Sequence, residues 1–129
     1  MQQALDTMLR MQDAMNARVH PDWRTQDFSW YRAVWVECAE LIDHAGYKWW
    51  KAQSADMPQV RMEVVDIWHF GLSALLLTDA DTARLSQKLA ADIDAHQRRE
   101  QDLRLATEAL ARDTLVSGAF PPHRERDTG

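Results

Sequence analysis

"SWYRAVWVECAELIDHAG", residues 29–46, is the stretch whose reading decides the fold. Tyr31, Val34, Trp35, Cys38, Leu41, Ile42 and Ala45 recur at steps of three and four, the period of an amphipathic α-helix rather than the alternation of a strand. Gly46 supplies a natural stop, so a helix is predicted over about Ser29–His44. Glu37 and Glu40 flank the apolar stripe at i and i+3 and project from one side of that helix. His44, seven residues after Glu37, points the same way.

Working outward, the same period predicts a helix over Gln3–Arg18, where Leu5, Met8, Met15 and Val19 share a face with Gln12. The intervening "VHPDWRTQDFS" has no period and reads as a loop. After "KAQSADMP" a third helix is expected over Gln59–Leu77. It is apolar nearly all round, through Val60, Val64, Val65, Ile67, Trp68, Phe70, Leu72, Leu75, Leu76 and Leu77, which places it in the middle of a bundle or at a dimer interface. "TDAD" resembles a helix cap. The stretch from Thr82 to Arg112 follows as helix with a thinner stripe, and "HQRREQD" marks a break or an exposed face. With only four glycines and four prolines in 129 residues, and no hairpin signal or internal repeat, the expected fold class is all-α, a helical bundle. A single domain is expected over residues 1–116, with a frayed tail over 117–129.

A net charge of −5 argues against nucleic acid or an anionic membrane surface as partner. The N-terminus lacks the basic start and apolar block of a signal peptide, and no apolar run approaches the roughly 20 residues of a membrane span. The expected location is therefore cytoplasmic. Cys38 is the single cysteine, so no internal disulfide is possible; it reads as a small buried residue rather than a nucleophile.

The acids carry the chemistry. Glu63 and Asp66 in "EVVD" repeat the i, i+3 device of "ECAE" on the third helix, flanked by Val60, Ile67, Phe70 and Ala74. One such pair is ordinarily a solvated helix face. Two pairs on helices that share one core point to a common site, and four clustered carboxylates require a compensating positive charge. Neither motif contains a lysine or arginine. A divalent cation is the simpler compensator, and an all-oxygen ligand set favours Mg²⁺ or Mn²⁺ over zinc. A carboxylate di-iron centre is the competing arrangement, but "DIWH" gives one approximate Glu-x-x-His motif and the chain has no second copy.

"LRMQDAMN", "ECAELIDHAGYKWWK" and "EVVDIWHF", in this order, resemble the dimeric all-α dUTPases, within the wider helical NTP pyrophosphohydrolase group that includes MazG-like proteins and dCTPases. The likeness covers about residues 5–77. It implies that Glu37, Glu40, Glu63 and Asp66 hold Mg²⁺ and serve catalysis; by its place in the pattern, and not by the likeness, Glu37 is the acid assigned to take the proton of the attacking water. It also implies a homodimer and a deoxyuridine nucleotide as substrate. Gln12 and Asn16, at i and i+4, carry amides that match the donor and acceptors of a uracil edge; the plain alternative is a polar contact between helices. Trp50 is placed to cover the base, with Trp49 as its structural neighbour, plain core packing being the alternative for both; Lys48 and Lys51 are placed to meet phosphates or are simply solvated lysines flanking a loop. His69 and Trp68 also match the family pattern, as packing residues, while Met8, Met11 and Met15 read as adaptable core.

The family's C-terminal phosphate-binding motif is not found after Leu77. Arg98, Arg99, Arg104 and Arg112 in its place, closure by a partner subunit, or a compact relative with altered substrate range are the alternatives. The expected function is Mg²⁺-dependent hydrolysis of dUTP to dUMP and pyrophosphate. Family precedent adds dUDP as a further substrate and attack at the β-phosphorus. Another pyrimidine nucleotide such as dCTP, or a nucleotide-binding module without turnover, are the competing readings.

Overall fold

The computed structural model describes residues 1–96 and 102–119. The described residues form five α-helices: α1 (Gln2–Val19), α2 (Trp30–His44), α3 (Met57–Thr78), α4 (Thr82–His96) and α5 (Leu103–Ala119). There is no strand among the described residues. The helical stretch expected over Thr82–Arg112 is two helices, and of the two readings of "HQRREQD" the break is the one that holds, with α4 ending at His96. Helix α5 continues to Ala119, past residue 116, where the sequence placed the end of the domain; the remainder of the expected tail, residues 120–129, lies outside the described residues.

Aspartates start three of these helices by accepting backbone N–H groups that have no partner within the helix. Asp56 accepts from Gln59 N at 3.2 Å, Asp81 from Arg84 N at 3.1 Å and Asp102 from Arg104 N at 2.9 Å. Helix α2 stops at Gly46, whose φ of 82° lies in the left-handed region that only glycine enters without penalty. A Cβ at Gly46 would also sit 3.4 Å from the backbone nitrogen of Ala55, where the α2–α3 connection folds back.

Helix α3 is central. It packs on α2 along one side and on α1 along another, while α4 lies mainly against α1 and α5 against α2. Leu9, Trp23, Leu72, Leu76 and Leu85 form one buried cluster, with Trp30, Trp68, Leu75 and Leu89 packed around it. Val34, Cys38 and Leu41 of α2 and Val60 of α3 are buried where those two helices meet.

Three expectations change. The buried arc of α1 is Leu5, Leu9 and Gln12, whereas Met8, Met11, Met15 and Val19 face solvent. The segment read as a plain loop holds a short 3₁₀ turn, Trp23–Thr25, and Trp23 is core. Its indole donates to Asp13 Oδ1 at 3.0 Å; Arg24 pairs with Asp13 Oδ2 at 3.1 Å and donates to the Leu76 carbonyl near the end of α3. Trp35 is 41% exposed, because the side of α2 that carries it faces α5 across an open groove.

Candidate active site

Glu37 and Glu40 leave α2 on the side turned towards α3, where Glu63 is 4% exposed. One oxygen from each of these three carboxylates lies within 4.8 Å of the others. Asp66, one turn after Glu63 on α3, is half-buried and close enough for its charge to act on Glu37. Burial first, then the charges of Glu40, Asp66 and Glu63, push the Glu37 carboxyl up to about 7. The same surroundings, burial and then Glu37, raise the Cys38 thiol, which is buried and inert.

Two oxygens of this cluster, Glu37 Oε2 and Glu63 Oε2, are buried without a hydrogen-bond partner. Orphaned anionic atoms on facing helices are costly unless a cation meets them. The set is all oxygen and spaced for shared coordination, so the residues fit Mg²⁺ or Mn²⁺. His44 Nδ1 lies 2.9 Å from Glu63 Oε1, a nitrogen placed against this group.

On the α1 side of α3 a second polar group forms a closed chain. Ser73 donates its hydroxyl to the His69 carbonyl at 3.0 Å and so accepts from Asn16 Nδ2 at 2.9 Å. Asn16 Oδ1 then accepts from Gln12 Nε2 at 2.9 Å, which leaves Gln12 Oε1 to accept from His69 Nδ1 at 2.5 Å. Every orientation follows from its neighbour, and His69 must carry a proton on Nδ1. Gln12 is buried and Asn16 half-buried, each with one N–H and one lone pair still uncommitted. The contact is thus the polar helix pairing, with capacity left over for a ligand. Sequence periodicity could flag Gln12 as an amide in an apolar stripe, but not Ser73, which sits in "FGLSALLL" like any small helical residue.

The connection between α2 and α3 holds the aromatics. Trp49 and Trp50 are 86% and 55% exposed, and their rings meet edge to face at 5.5 Å; Trp50 meets Tyr47 the same way at 5.8 Å. Lys48 is held by Asp43, Nζ to Oδ1 3.0 Å, and its backbone N–H donates to Gln53 Oε1. The Lys48 and Gln53 hydrogen bonds hold the Asp43 carboxyl below its ordinary value. Lys51 is exposed and makes no ion pair among the described residues.

The other basic candidates stand elsewhere. Arg112 lines the groove of about 360 Å³ between α2 and α5 with Trp35, Ala39 and Ile42, across α2 from Glu37. Arg104 lies 3.8 Å from Asp102 at the start of α5. Arg98 and Arg99 are outside the described residues. No helix among the described residues is long and apolar enough to cross a membrane.

No curated protein matches the chain. The dUTPase family model does, over residues 4–113, a span that contains both acidic pairs, the amide group of α1 and the aromatic connection. The all-helical fold agrees with that match, and the chain belongs to the all-α dUTPase family, whose members are dUTP diphosphatases.

Proposed function

We propose that the enzyme hydrolyses dUTP to dUMP and pyrophosphate with Mg²⁺, or Mn²⁺ in its place, held by Glu37, Glu40, Glu63 and Asp66. The observation that carries this reading is the approach of three carboxylates to within 4.8 Å, two of them with a buried oxygen that has no partner. A divalent cation in such a site polarises phosphoryl oxygens and acidifies a bound water. The protein supplies the rest. Glu37, through an oxygen the cation leaves free, is the carboxylate placed to take the proton from the attacking water.

Asn16 presents its remaining N–H and lone pair to the uracil edge, and Ser73, by accepting from Asn16 Nδ2, holds that amide in one orientation that the bond from Gln12 Nε2 reinforces. A fixed orientation favours uracil over cytosine, whose edge exchanges an acceptor for a donor. Trp50 covers the base, and Lys48 and Lys51 meet phosphates. Lys51 is the readier of the two, since Lys48 is already engaged by Asp43.

The catalytic unit is one domain spanning at least residues 1–116. It acts as a homodimer in the cytoplasm, its partner covering the apolar side of α3 where Met57, Val64 and Val65 are exposed. Glu63→Gln tests the metal assignment. It removes one buried anion at constant size, and both Mg²⁺ binding and turnover should be lost. Unchanged Mg²⁺ affinity and unchanged turnover would reject the assignment.

A further inference from the structure

His44 stands against the most deeply buried acid of the site and has no role in the chemistry above. It is the last residue of α2, and Gly46 turns the chain away just behind it. Its carbonyl accepts from Asp56 N at 2.8 Å, which ties the end of α2 to the start of α3. The ring is thereby held between the two acid-bearing helices. The Glu63 side chain is 5% exposed and that of His44 34%, so the imidazole is the wall between this carboxylate and water. The neighbouring Asp43 is engaged on its other side through Oδ1, which meets both Lys48 Nζ and Gln53 Nε2.

A buried carboxylate offers two oxygens, and a cation site depends on which of them is directed inward. Glu63 Oε1 lies 2.9 Å from His44 Nδ1, while Glu63 Oε2 is buried without a partner, as is Glu37 Oε2 of the same three-carboxylate cluster. The imidazole stands off the ideal hydrogen-bond line, and Nδ1 has no aligned acceptor. The ring torsion is soft, so a small rotation completes the bond once Glu63 is fixed from its other side.

We propose that His44 is a positioning residue of the metal centre: by holding Glu63 Oε1 it presents Oε2 to a divalent cation shared with Glu37 and Glu40. The inference rests on the metal reading of the acidic cluster. Its physical basis is that a ligand carboxylate tethered through its outer oxygen loses little freedom when the cation binds, whereas an untethered one must be ordered first. A direct ligand role for His44 is a different arrangement, and the two respond differently to an amide that can donate from the Nδ1 position but is a poor substitute for an imidazole ligand.

The test is calorimetric titration of the full chain with Mg²⁺ and with Mn²⁺, without nucleotide, for the unaltered protein, His44→Ala and His44→Asn. The alanine variant should bind roughly 10- to 100-fold more weakly. The asparagine variant, whose amide N–H reaches the place of Nδ1–H, should remain within a few-fold of the unaltered chain. Equal affinity in all three proteins, with the unaltered chain binding metal, overturns the role of His44 and leaves the metal reading intact. Equal loss in both variants assigns the residue to packing or to direct ligation and also overturns it. Absence of binding by the unaltered protein overturns both readings.

Discussion

Gln12 of α1 and His69 of α3, 57 residues apart in the chain, meet at 2.5 Å, with the Gln12 carbonyl oxygen accepting from His69 Nδ1. This bond closes the Gln12–Asn16–Ser73–His69 chain and joins the helix that carries the candidate base-reading amides to the helix that carries two of the acids. The amide group and the acidic group are therefore braced by the same element, with Asp66 and His69 one turn apart on α3.

Gln12→Ala breaks that brace and removes the bond to Asn16 Oδ1, leaving the Asn16 amide held from the Ser73 side alone. The KM for dUTP should rise by the equivalent of about 1–3 kcal/mol of lost buried hydrogen bonding, roughly 5- to 150-fold, with a smaller preference for dUTP over dCTP. Steady-state kinetics on both nucleotides checks this. An unaltered preference between the bases would remove Gln12 from base selection.

The same chain of donors fixes the His69 proton. Nitrogen-15 NMR of the protein at a pH where the ring is neutral should show the Nδ1–H tautomer, and the Nε2–H form would contradict the network as assigned.

Glu37 makes the metal-free protein pH-sensitive. Its folded value of about 7 lies above the ordinary 4.5, so between these limits the folded chain holds a proton that the unfolded chain has released. Stability contributed by this group is intact below about pH 4.5 and falls as pH rises through about 7. In EDTA the melting temperature should therefore drop between pH 5 and pH 8. Added Mg²⁺ should restore it most at the alkaline end, where binding no longer has to displace the proton. A melting temperature in EDTA that is flat or rising over that range contradicts the coupling.

Gly46→Ala tests the stop of α2. The positive φ alone costs about 1–2 kcal/mol for a residue with a Cβ, and the new methyl also meets the Ala55 backbone. Chemical denaturation should show a loss of at least that size. A change below about 0.5 kcal/mol would mean that the turn relaxes to another conformation.

The helices were legible because their period is written in apolar residues, and the acidic pairs because i, i+3 spacing places side chains on one face whatever the tertiary contacts. What failed was the choice among arcs. Helix α1 offers apolar residues over more than half its circumference, and periodicity could not tell that Leu5 and Leu9 face the bundle while Met8 and Met15 do not. Trp23 escaped because a core residue in an irregular segment has no period; its burial comes from Asp13, Arg24 and the end of α3. The approach of His44 to Glu63 and of Asn16 to Ser73 depends on how helices dock. No spacing within one helix encodes it.

The most direct measurement of the central claim is product formation from dUTP, dUDP, dCTP, dTTP and UTP, each with Mg²⁺ and with EDTA. The account predicts dUMP and pyrophosphate from dUTP in Mg²⁺, little turnover of the cytosine and ribose nucleotides, and none in EDTA. Turnover of dUTP that survives EDTA, or a preference for dCTP, would contradict it.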